Sequence, residues 1–463
     1  MKRDRMAAWR QGLTQWRGAT PKSKALMQLV ARDIEAGQLR EGERLPSQRE
    51  VSLATGLSLQ TVTNAYKDLE RHGLVRCDVG RGSFVSRRVS ETVAAYIVDR
   101  NDQTLVDLST ARIAHTLDHQ LAWQDLCKAL GAEFDQPWLR DNRPIAGFEP
   151  HRQIALSWLA DLGVTSQLDR VFMTNGGAHG VFVALAAVAS AEDVVLTERL
   201  TDHGVIGAAN VLGLDLRGVD MDDHGLQPDH FEELCAHERV SALVLTPNGN
   251  NPTMAVLPQT RRRAIARIAQ QYGVYVVEDD VYGPLMQARA APIAHWAPDY
   301  CFYVSGFSKS VMTGLRVGVL SAPRRMATRV DSLLRVSTWM AAPLMAEIAM
   351  RWVADGTAQR LIALQRSVLA RRHAMLLAHL GRFVLGHHPQ GLLAWLRVPP
   401  AWPLDDLAAC LRQRDVAVTT PEPFMVKAAQ RPQALRICLG ADCSDEQLEA
   451  GLKVLAQTLA ERG

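Results

Sequence analysis

Short apolar runs alternate with longer segments of helical length through most of the chain. From Leu105 to the C-terminus, six runs rich in β-branched and aromatic residues are separated by segments long enough to form helices. This alternation predicts an α/β fold in which a mostly parallel sheet is wrapped in helices. Ligands of such sheets bind at the carboxyl ends of the strands, so the loops that follow these runs are the candidate site. The predicted strands are 171–174, 194–196, 242–246, 274–277, 301–304 and 317–321.

The first ninety residues have a different pattern. Between residues 22 and 36, apolar side chains recur at intervals of three and four, which predicts a helix. Ser47, with Glu50 three residues later, predicts a capping box for a second helix that ends near Gly56. Ser58 can cap a third helix. Two short helices joined by a glycine-containing turn predict a helix-turn-helix.

The segments around this motif have their own character. Residues 78–85 read as strand, glycine turn and strand, which predicts a wing with Arg81 at its tip. Residues 1–21 are basic and contain two tryptophans, and either a basic N-terminal arm or a short helix fits them. Residues 87–105 are polar, and a flexible linker is their simplest assignment.

The two parts of the chain differ in net charge. Residues 1–90 hold 17 Lys and Arg against 9 Asp and Glu, whereas the remainder holds 35 against 40. The basic first part is therefore predicted to bind a polyanion. No run of about eighteen apolar residues predicts a membrane span. Seven cysteines without C-x-x-C spacing favour a reducing cytoplasm over a disulfide or zinc framework, so we expect no metal site.

Lys309 stands just past a predicted strand, next to small hydroxyl residues and seven positions before Arg316. This arrangement suits an aldehyde cofactor that carries a phosphate, because the lysine amine can form an imine with the aldehyde. Ser305, Ser308 and Arg316 can hold the phosphate through hydroxyl and guanidinium donors. For a Ser-Lys pair in isolation, a surface lysine beside a turn is the simpler interpretation.

Two other predicted strand ends carry polar motifs. Gly176, Gly177 and Ala178 form a small-residue turn that opens a helix, and backbone N–H groups there favour a phosphate. Asn251 precedes a proline that favours an extended backbone, so its amide can donate to the cofactor's phenolic oxygen. A turn-forming Asn-Pro pair is the alternative interpretation.

Three adjacent acids, Glu278, Asp279 and Asp280, end a fourth predicted strand. Such a cluster is costly to bury unless one carboxylate meets a cation. A protonated pyridine nitrogen is such a cation, and a carboxylate opposite it lets the ring act as an electron sink. Tyr282, three residues after Asp279, can reach another part of the same cofactor with its hydroxyl.

Residues 22–86 strongly resemble the winged-helix domain of GntR-family regulators. The motifs that carry the resemblance are Leu-Pro-Ser-x-Arg-Glu at 45–50, Gly-x-Ser-x-x-Thr-Val at 56–62 and Gly-x-Gly-Ser-Phe-Val at 80–85. The resemblance implies double-stranded operator DNA as a partner. Family members often have an arginine where Leu59 stands. For each polar residue alone, a solvated helix face is the alternative. The implied DNA contacts are Arg49, Ser58, Gln60, Thr61, Thr63 and, in the wing, Arg81.

From Leu105 onward, the order Asn-Pro-Thr, Asp-x-x-Tyr and Ser-Lys resembles the fold-type I pyridoxal-phosphate enzymes of the aminotransferase class. Two departures concern residues near the cofactor. Asp202 stands where the family usually has an aromatic ring stacked on the cofactor, and His203 beside it can take the place of that ring. Gly306 replaces a common Ser or Thr. The implied roles are Lys309 as Schiff-base lysine, Asp279 as partner of the pyridine nitrogen, Tyr282 and Asn251 as donors to the phenolic oxygen, Arg316 as phosphate ligand and Arg436 as receptor for a substrate carboxylate.

A GntR-like winged helix followed by an aminotransferase-like domain over residues 106–463 resembles the MocR subfamily of bacterial regulators. The resemblance implies a pyridoxal 5'-phosphate cofactor at Lys309, an amine or amino acid effector that displaces this lysine by transimination, and a head-to-tail homodimer. Two alternatives remain open. One is an active aminotransferase that carries a DNA-binding domain, and the other is a regulator that senses an amino acid without a cofactor.

Overall fold

A computed structural model describes residues 2–15, 22–35, 38–39, 42–71, 74–78, 82–85, 105–133, 135–426 and 429–462. The chain divides into two compact units, Met1–Tyr96 and Ile97–Gly463. The predicted wing-tip residue Arg81 and the predicted linker up to residue 104 lie outside the described residues. Within the described ranges, no helix is both long and apolar enough to cross a membrane.

The first unit contains the predicted helix-turn-helix followed by a two-stranded antiparallel hairpin. The capping box is confirmed, since the Ser47 N–H donates to the Glu50 carboxylate at 2.7 Å and the Glu50 N–H donates to the Ser47 hydroxyl at 3.3 Å. The helix that follows ends at Gly56, whose φ of 73° lies in the left-handed region that glycine tolerates. The elements are α1 (Lys2–Gln15), α2 (Lys22–Glu35), α3 (Gln48–Thr55), α4 (Leu59–Arg71), β1 (Val75–Asp78) and β2 (Gly82–Val85).

The basic N-terminal segment, for which the sequence allows an arm or a helix, forms helix α1. Trp9 is only 1% exposed and belongs to the same apolar cluster as Leu26 and Val62. Its indole N–H donates to the Asp33 carboxylate on α2 at 2.7 Å, so the buried polar atom is satisfied. Helix α1 is therefore part of the core of the first unit.

The second unit is built on a seven-stranded sheet in the order β4-β12-β11-β10-β9-β5-β6. Neighbouring strands are parallel except at β12, which runs antiparallel to both β11 and β4. The predicted mostly parallel sheet and its six strands are confirmed, whereas β6 was not predicted. The strands are β3 (Val106–Asp107), β4 (Val171–Thr174), β5 (Val194–Glu198), β6 (Asp215–Val219), β7 (Met221–Asp222), β8 (Gly225–Leu226), β9 (Val240–Leu245), β10 (Tyr275–Asp279), β11 (Cys301–Gly306), β12 (Gly318–Ser321), β13 (Val384–His387), β14 (Leu393–Arg397), β15 (Val416–Ala417) and β16 (Ala434–Cys438).

Helices cover both faces of this sheet, because successive strand residues point to opposite sides. Val276 packs in one apolar cluster with Trp158 and Ile265, while Val277 packs in another with Leu185. The helices are α5 (Leu117–Gly131), α6 (Pro137–Arg140), α7 (Glu149–Asp161), α8 (Gly177–Val188), α9 (His203–Leu212), α10 (Pro228–His237), α11 (Gln259–Tyr272), α12 (Ile293–Trp296), α13 (Ala327–Ser337), α14 (Pro343–Ala354), α15 (Thr357–Leu380), α16 (Leu404–Gln413) and α17 (Asp445–Ala460).

The C-terminal part of the second unit has a smaller antiparallel sheet in the order β13-β14-β16. Leu393 and Ile437 from this sheet share a buried apolar cluster with Leu376 of α15 and Leu452 of α17. This cluster fixes the position of β16, the strand that carries Arg436.

Candidate functional site

A cavity of about 210 Å³ lies at the carboxyl ends of β10 and β11 and at the N-terminus of α8. Elements that are distant in sequence meet there because parallel strands end at the same edge of the sheet. Asp202, a departure from the aminotransferase pattern, also lines it. The predicted site residues that line the cavity are Gly177, Ala178, His203, Asp279, Tyr282, Ser308, Lys309 and Arg316.

Lys309 is the nucleophilic group of the cavity. Its ammonium donates to the backbone carbonyl of Ala111 at 2.5 Å. Burial lowers the pKa of Lys309, although the nearby Asp202 carboxylate opposes this effect. A lowered pKa increases the fraction of free amine, which is the form that attacks an aldehyde carbon.

Of the three adjacent acids, Asp279 is the one that lines the cavity. Glu278 accepts hydrogen bonds at 2.9 and 3.0 Å from two backbone N–H groups at the start of α12. Asp280 accepts from the Asn248 amide at 2.7 Å and from the Tyr303 hydroxyl. The neighbours of Asp279 are thus satisfied elsewhere, which leaves Asp279 to meet a ligand.

Burial, followed by repulsion from Asp202, raises the pKa of Asp279 to about 7. Burial also raises the pKa of the nearby Glu198 to about 8. A buried carboxyl with such a pKa is poorly stabilised as an anion until a cation arrives. Asp279 therefore fits a ligand that brings a protonated nitrogen, as a pyridine ring does.

Another part of the cavity lining suits a phosphate. Gly176 has a φ of 85°, and a Cβ there would lie 3.3 Å from the Arg316 guanidinium. A Cβ on Gly177 would lie 2.4 Å from Val281, so the backbone of this turn approaches its neighbours more closely than a side chain permits. Arg316 donates to the Ser308 hydroxyl at 3.5 Å. Guanidinium, hydroxyl and the N-terminus of α8 converge as donors for a dianion.

Ser305 is not part of this group. Its side chain is fully buried, and its hydroxyl accepts a hydrogen bond from the indole of Trp158 at 3.1 Å. In strand β11, Ser305 faces the same side as Tyr303, whereas Gly306 lines the cavity; Ser308, which follows the strand, lines it as well. The prediction that Ser305 holds the phosphate is therefore wrong, because the alternation of side chains along β11 points Ser305 away from the cavity. The sequence motif does not show which face of the strand a residue occupies.

Asn251 is buried behind the cavity lining. Its amide donates to the Asp202 carboxylate at 2.6 Å, and its carbonyl oxygen accepts from Arg436 at 3.4 Å. His203 lines the cavity and packs edge-on against Phe424, with 6.4 Å between ring centroids. The roles of Asn251 and His203 toward a cofactor remain predictions.

Arg436 is 1% exposed and lies next to the cavity rather than in its lining. Its guanidinium donates to the Thr419 hydroxyl at 3.0 Å and to the Ser109 carbonyl, and it lies 4.9 Å from the ring of Phe424. Among the described residues, its Nε has no hydrogen-bond partner. This unused donor is consistent with a role in carboxylate recognition.

Several groups around the site were not predicted from the sequence. The Ala111 carbonyl accepts a hydrogen bond from Lys309. Arg436 donates to Thr419 and Ser109, and Phe424 contacts both His203 and Arg436. They come from segments far from the motifs, and no residue pattern near them indicates a site.

The predicted DNA-binding residues of the first unit that can be described lie on α3, on α4 and in the turn between them. Arg49, Ser58 and Gln60 are exposed. The Ser58 hydroxyl accepts the Thr61 N–H at 3.1 Å, which confirms the predicted cap of α4. The Thr63 hydroxyl bonds to the Gln48 side chain at 2.8 Å, so it also ties α4 to α3.

The raised pKa of Asp279 predicts a pH-dependent effect of Asp279→Asn in the cofactor-free protein. Between pH 4 and 7, folded wild-type protein keeps a proton that the unfolded chain releases, so its free energy of unfolding falls as pH rises. Asparagine has no such proton to release, so the variant avoids this fall in stability. From pH 5 to pH 8, its free energy of unfolding in urea should therefore rise by about 1–3 kcal/mol relative to that of wild type.

Asp125→Asn, at a side chain that is 81% exposed, is the matched control and should show no such gain. An Asp279→Asn effect of the same size at pH 5 and pH 8 would contradict the assignment of a buried, protonated carboxyl.

Comparison with known proteins identifies the families of both parts of the chain. Residues 152–455 match the family of aminotransferases class I and II, and residues 22–85 match the bacterial regulatory proteins of the gntR family. The uncharacterized HTH-type transcriptional regulator YdeF of Bacillus subtilis is 26% identical over 95% of this chain and 94% of its own length. The uncharacterized HTH-type transcriptional regulator YjiR of Escherichia coli is 25% identical over 92% of this chain and 96% of its own.

Among solved structures, an archaeal alanine:glyoxylate aminotransferase superposes with a TM-score of 0.71 and 20% identity, over 81% of this chain and 94% of its own. At this identity the likeness shows the fold alone. The two family matches and the regulators of similar length together identify the domain organisation. The chain belongs to the aminotransferase class I and II family, and a gntR-family domain precedes the aminotransferase domain, which is the domain organisation of the MocR subfamily.

Proposed function

We propose that the protein is a pyridoxal-phosphate-dependent regulator that binds operator DNA through its first unit and senses a small amine or amino acid through its second. The observation that carries this proposal is the convergence of Lys309, Asp279 and Arg316 on one cavity, in a chain that also carries a helix-turn-helix. We also propose that it acts in the cytoplasm as a head-to-tail homodimer, as the resemblance to its subfamily implies.

Pyridoxal phosphate, when bound, would supply an aldehyde carbon with which amines combine reversibly. Lys309 would bond to that carbon, Asp279 would hold a proton on the ring nitrogen, and Arg316 with Ser308 would bind the phosphate. Tyr282, which is 3% exposed and lines the cavity, is the proposed donor to the phenolic oxygen.

The effector would replace Lys309 by exchange of one amine for another. The effector amine would take the place of the Lys309 amine at that carbon, the hydrogens that the incoming amine gives up would pass to the lysine nitrogen, and Lys309 would leave as a free amine. No oxidant or reductant is needed. A ligand can act as a switch only if it binds one arrangement of the protein better than another, and release of Lys309 provides such a difference.

An active aminotransferase is the second candidate, because Lys309, Asp279 and Arg436 are all retained. The carboxylate of Asp202 in place of a stacking ring favours regulation over efficient turnover. We expect purified protein mixed with pyridoxal phosphate, amino donors and a keto acid to form no more than about one equivalent of product, since release of Lys309 does not require turnover. Sustained formation of many equivalents would refute a purely regulatory role.

Lys309→Ala should abolish the visible absorbance that pyridoxal phosphate acquires when it bonds to a protein lysine, because no other described amine lines the cavity. Absorbance spectra of purified wild type and variant measure this directly. Lys128→Ala, at a side chain that is 77% exposed, is the control and should retain the absorbance. An unchanged spectrum in Lys309→Ala would contradict cofactor bonding at this residue, and a colourless wild type would favour sensing without the cofactor.

Arg49→Ala should weaken DNA binding, because this exposed guanidinium lies at the start of α3 in the helix-turn-helix. If Arg49 contacts a phosphate, the slope of log K against log salt should fall by about one. Titration of a duplex selected from a random pool, at several salt concentrations, gives both quantities. Lys128→Ala removes the same charge from the second unit and should change neither; unchanged affinity and slope in Arg49→Ala would contradict the assigned DNA contact.

A further inference from the structure

Asp202 is a charged residue of the cavity to which the proposed function assigns no ligand. It is the N-cap of α9, where one carboxylate oxygen accepts the Gly204 N–H at 2.7 Å. The other oxygen accepts the Asn251 amide at 2.6 Å. These two bonds fix the carboxylate in one orientation, with 27% of the side chain exposed at the cavity wall.

The carboxylate carries a charge that these bonds do not neutralise. Burial opposes ionisation of Asp202, but His203, the Gly204 N–H, Asn251 and Lys309 together hold its pKa below the usual range. Of these four groups, Gly204 and Asn251 are neutral donors. The His203 ring nitrogen lies 3.7 Å away, and Lys309 lines the same cavity.

The other charged groups of the cavity have partners under the proposed function. Arg316 meets the phosphate, Asp279 meets the ring nitrogen, and Lys309 bonds to the cofactor until the effector replaces it. An anion in a poorly solvated cavity is stabilised by a cation and destabilised without one. His203 and Lys309 are the nearby groups of the chain that can carry a positive charge, and the effector is the component from outside the chain that can bring a further one to Asp202.

We propose that Asp202 is a specificity residue that favours effectors with a second positively charged group, so that diamines and diamino acids bind better than monoamines of the same length. One amine of the effector replaces Lys309, and the second ammonium lies against the Asp202 carboxylate. This inference rests on the proposed function, since it requires amine exchange in this cavity.

The test is an absorbance titration of full-length protein loaded with pyridoxal phosphate, with two matched pairs of probes. The pairs are 1,5-diaminopentane with pentylamine, and L-lysine with L-norleucine. A charge-assisted hydrogen bond in a poorly solvated site should give the doubly charged member an apparent Kd about tenfold lower or more, beyond the factor of two expected for two equivalent amines.

Asp202→Asn is the informative variant, because asparagine keeps an oxygen that can cap α9 and removes the charge. In this variant the ratio of the two apparent Kd values should fall to about threefold or less, near the statistical factor. Asp220→Asn, at a side chain that is 46% exposed and does not line the cavity, is the control and should keep the wild-type ratio. A purely structural role for Asp202 would change both probes equally and leave the ratio unchanged.

Three outcomes overturn the inference. The first is that wild-type protein binds both members of each pair with equal affinity; this result needs no variant and is decisive even if Asp202→Asn fails to fold. The second is that Asp202→Asn keeps the wild-type ratio of the two Kd values. Wild type that acquires no visible absorbance with the cofactor overturns the proposed function, and the inference with it, so the two failures are distinguishable.

Discussion

The enclosed amine of Lys309 is the constraint on which the arrangement of the second unit depends. An ammonium group in a poorly solvated cavity must meet an acceptor or a negative charge, or lose its proton. The carbonyl of Ala111 supplies the acceptor, the segment after β5 supplies the carboxylate of Asp202, and the last residue of β10 supplies that of Asp279. These groups can meet because β5, β10 and β11 run parallel within one sheet, so their carboxyl ends lie at one edge.

Strand alternation then decides which side chains reach that edge. Of three consecutive acids, Asp279 lines the cavity, while Glu278 caps α12 and Asp280 bonds to Asn248 and a buried tyrosine hydroxyl. The same rule directs Ser305 toward Trp158 and away from the cavity. A sequence motif places residues at the end of a strand, but the face of the sheet selects among them.

What the sequence could predict follows from the range of the interactions involved. The six predicted strands are largely apolar because helices cover both faces of the sheet, whereas β6 contains Asp215, Arg217 and Gly218 at the sheet's edge and lacks that pattern. The motif residues around Lys309 were recognisable because each follows a strand directly. The pairing of Asp202 with Asn251 joins residues 49 positions apart and has no local pattern.

The contacts of Arg436 and Asn251 bear on how a ligand could act as a switch. Arg436 lies on the small C-terminal sheet and donates to the side chain of Asn251. Asn251 lies in the segment after β9 of the large sheet and donates in turn to Asp202. A ligand carboxylate at Arg436, or a ligand amine at Asp202, would compete for groups that already bond to each other. Under the proposed function, binding would therefore change contacts between the two sheets, and a difference in those contacts is what would let the ligand prefer one arrangement of the unit over another.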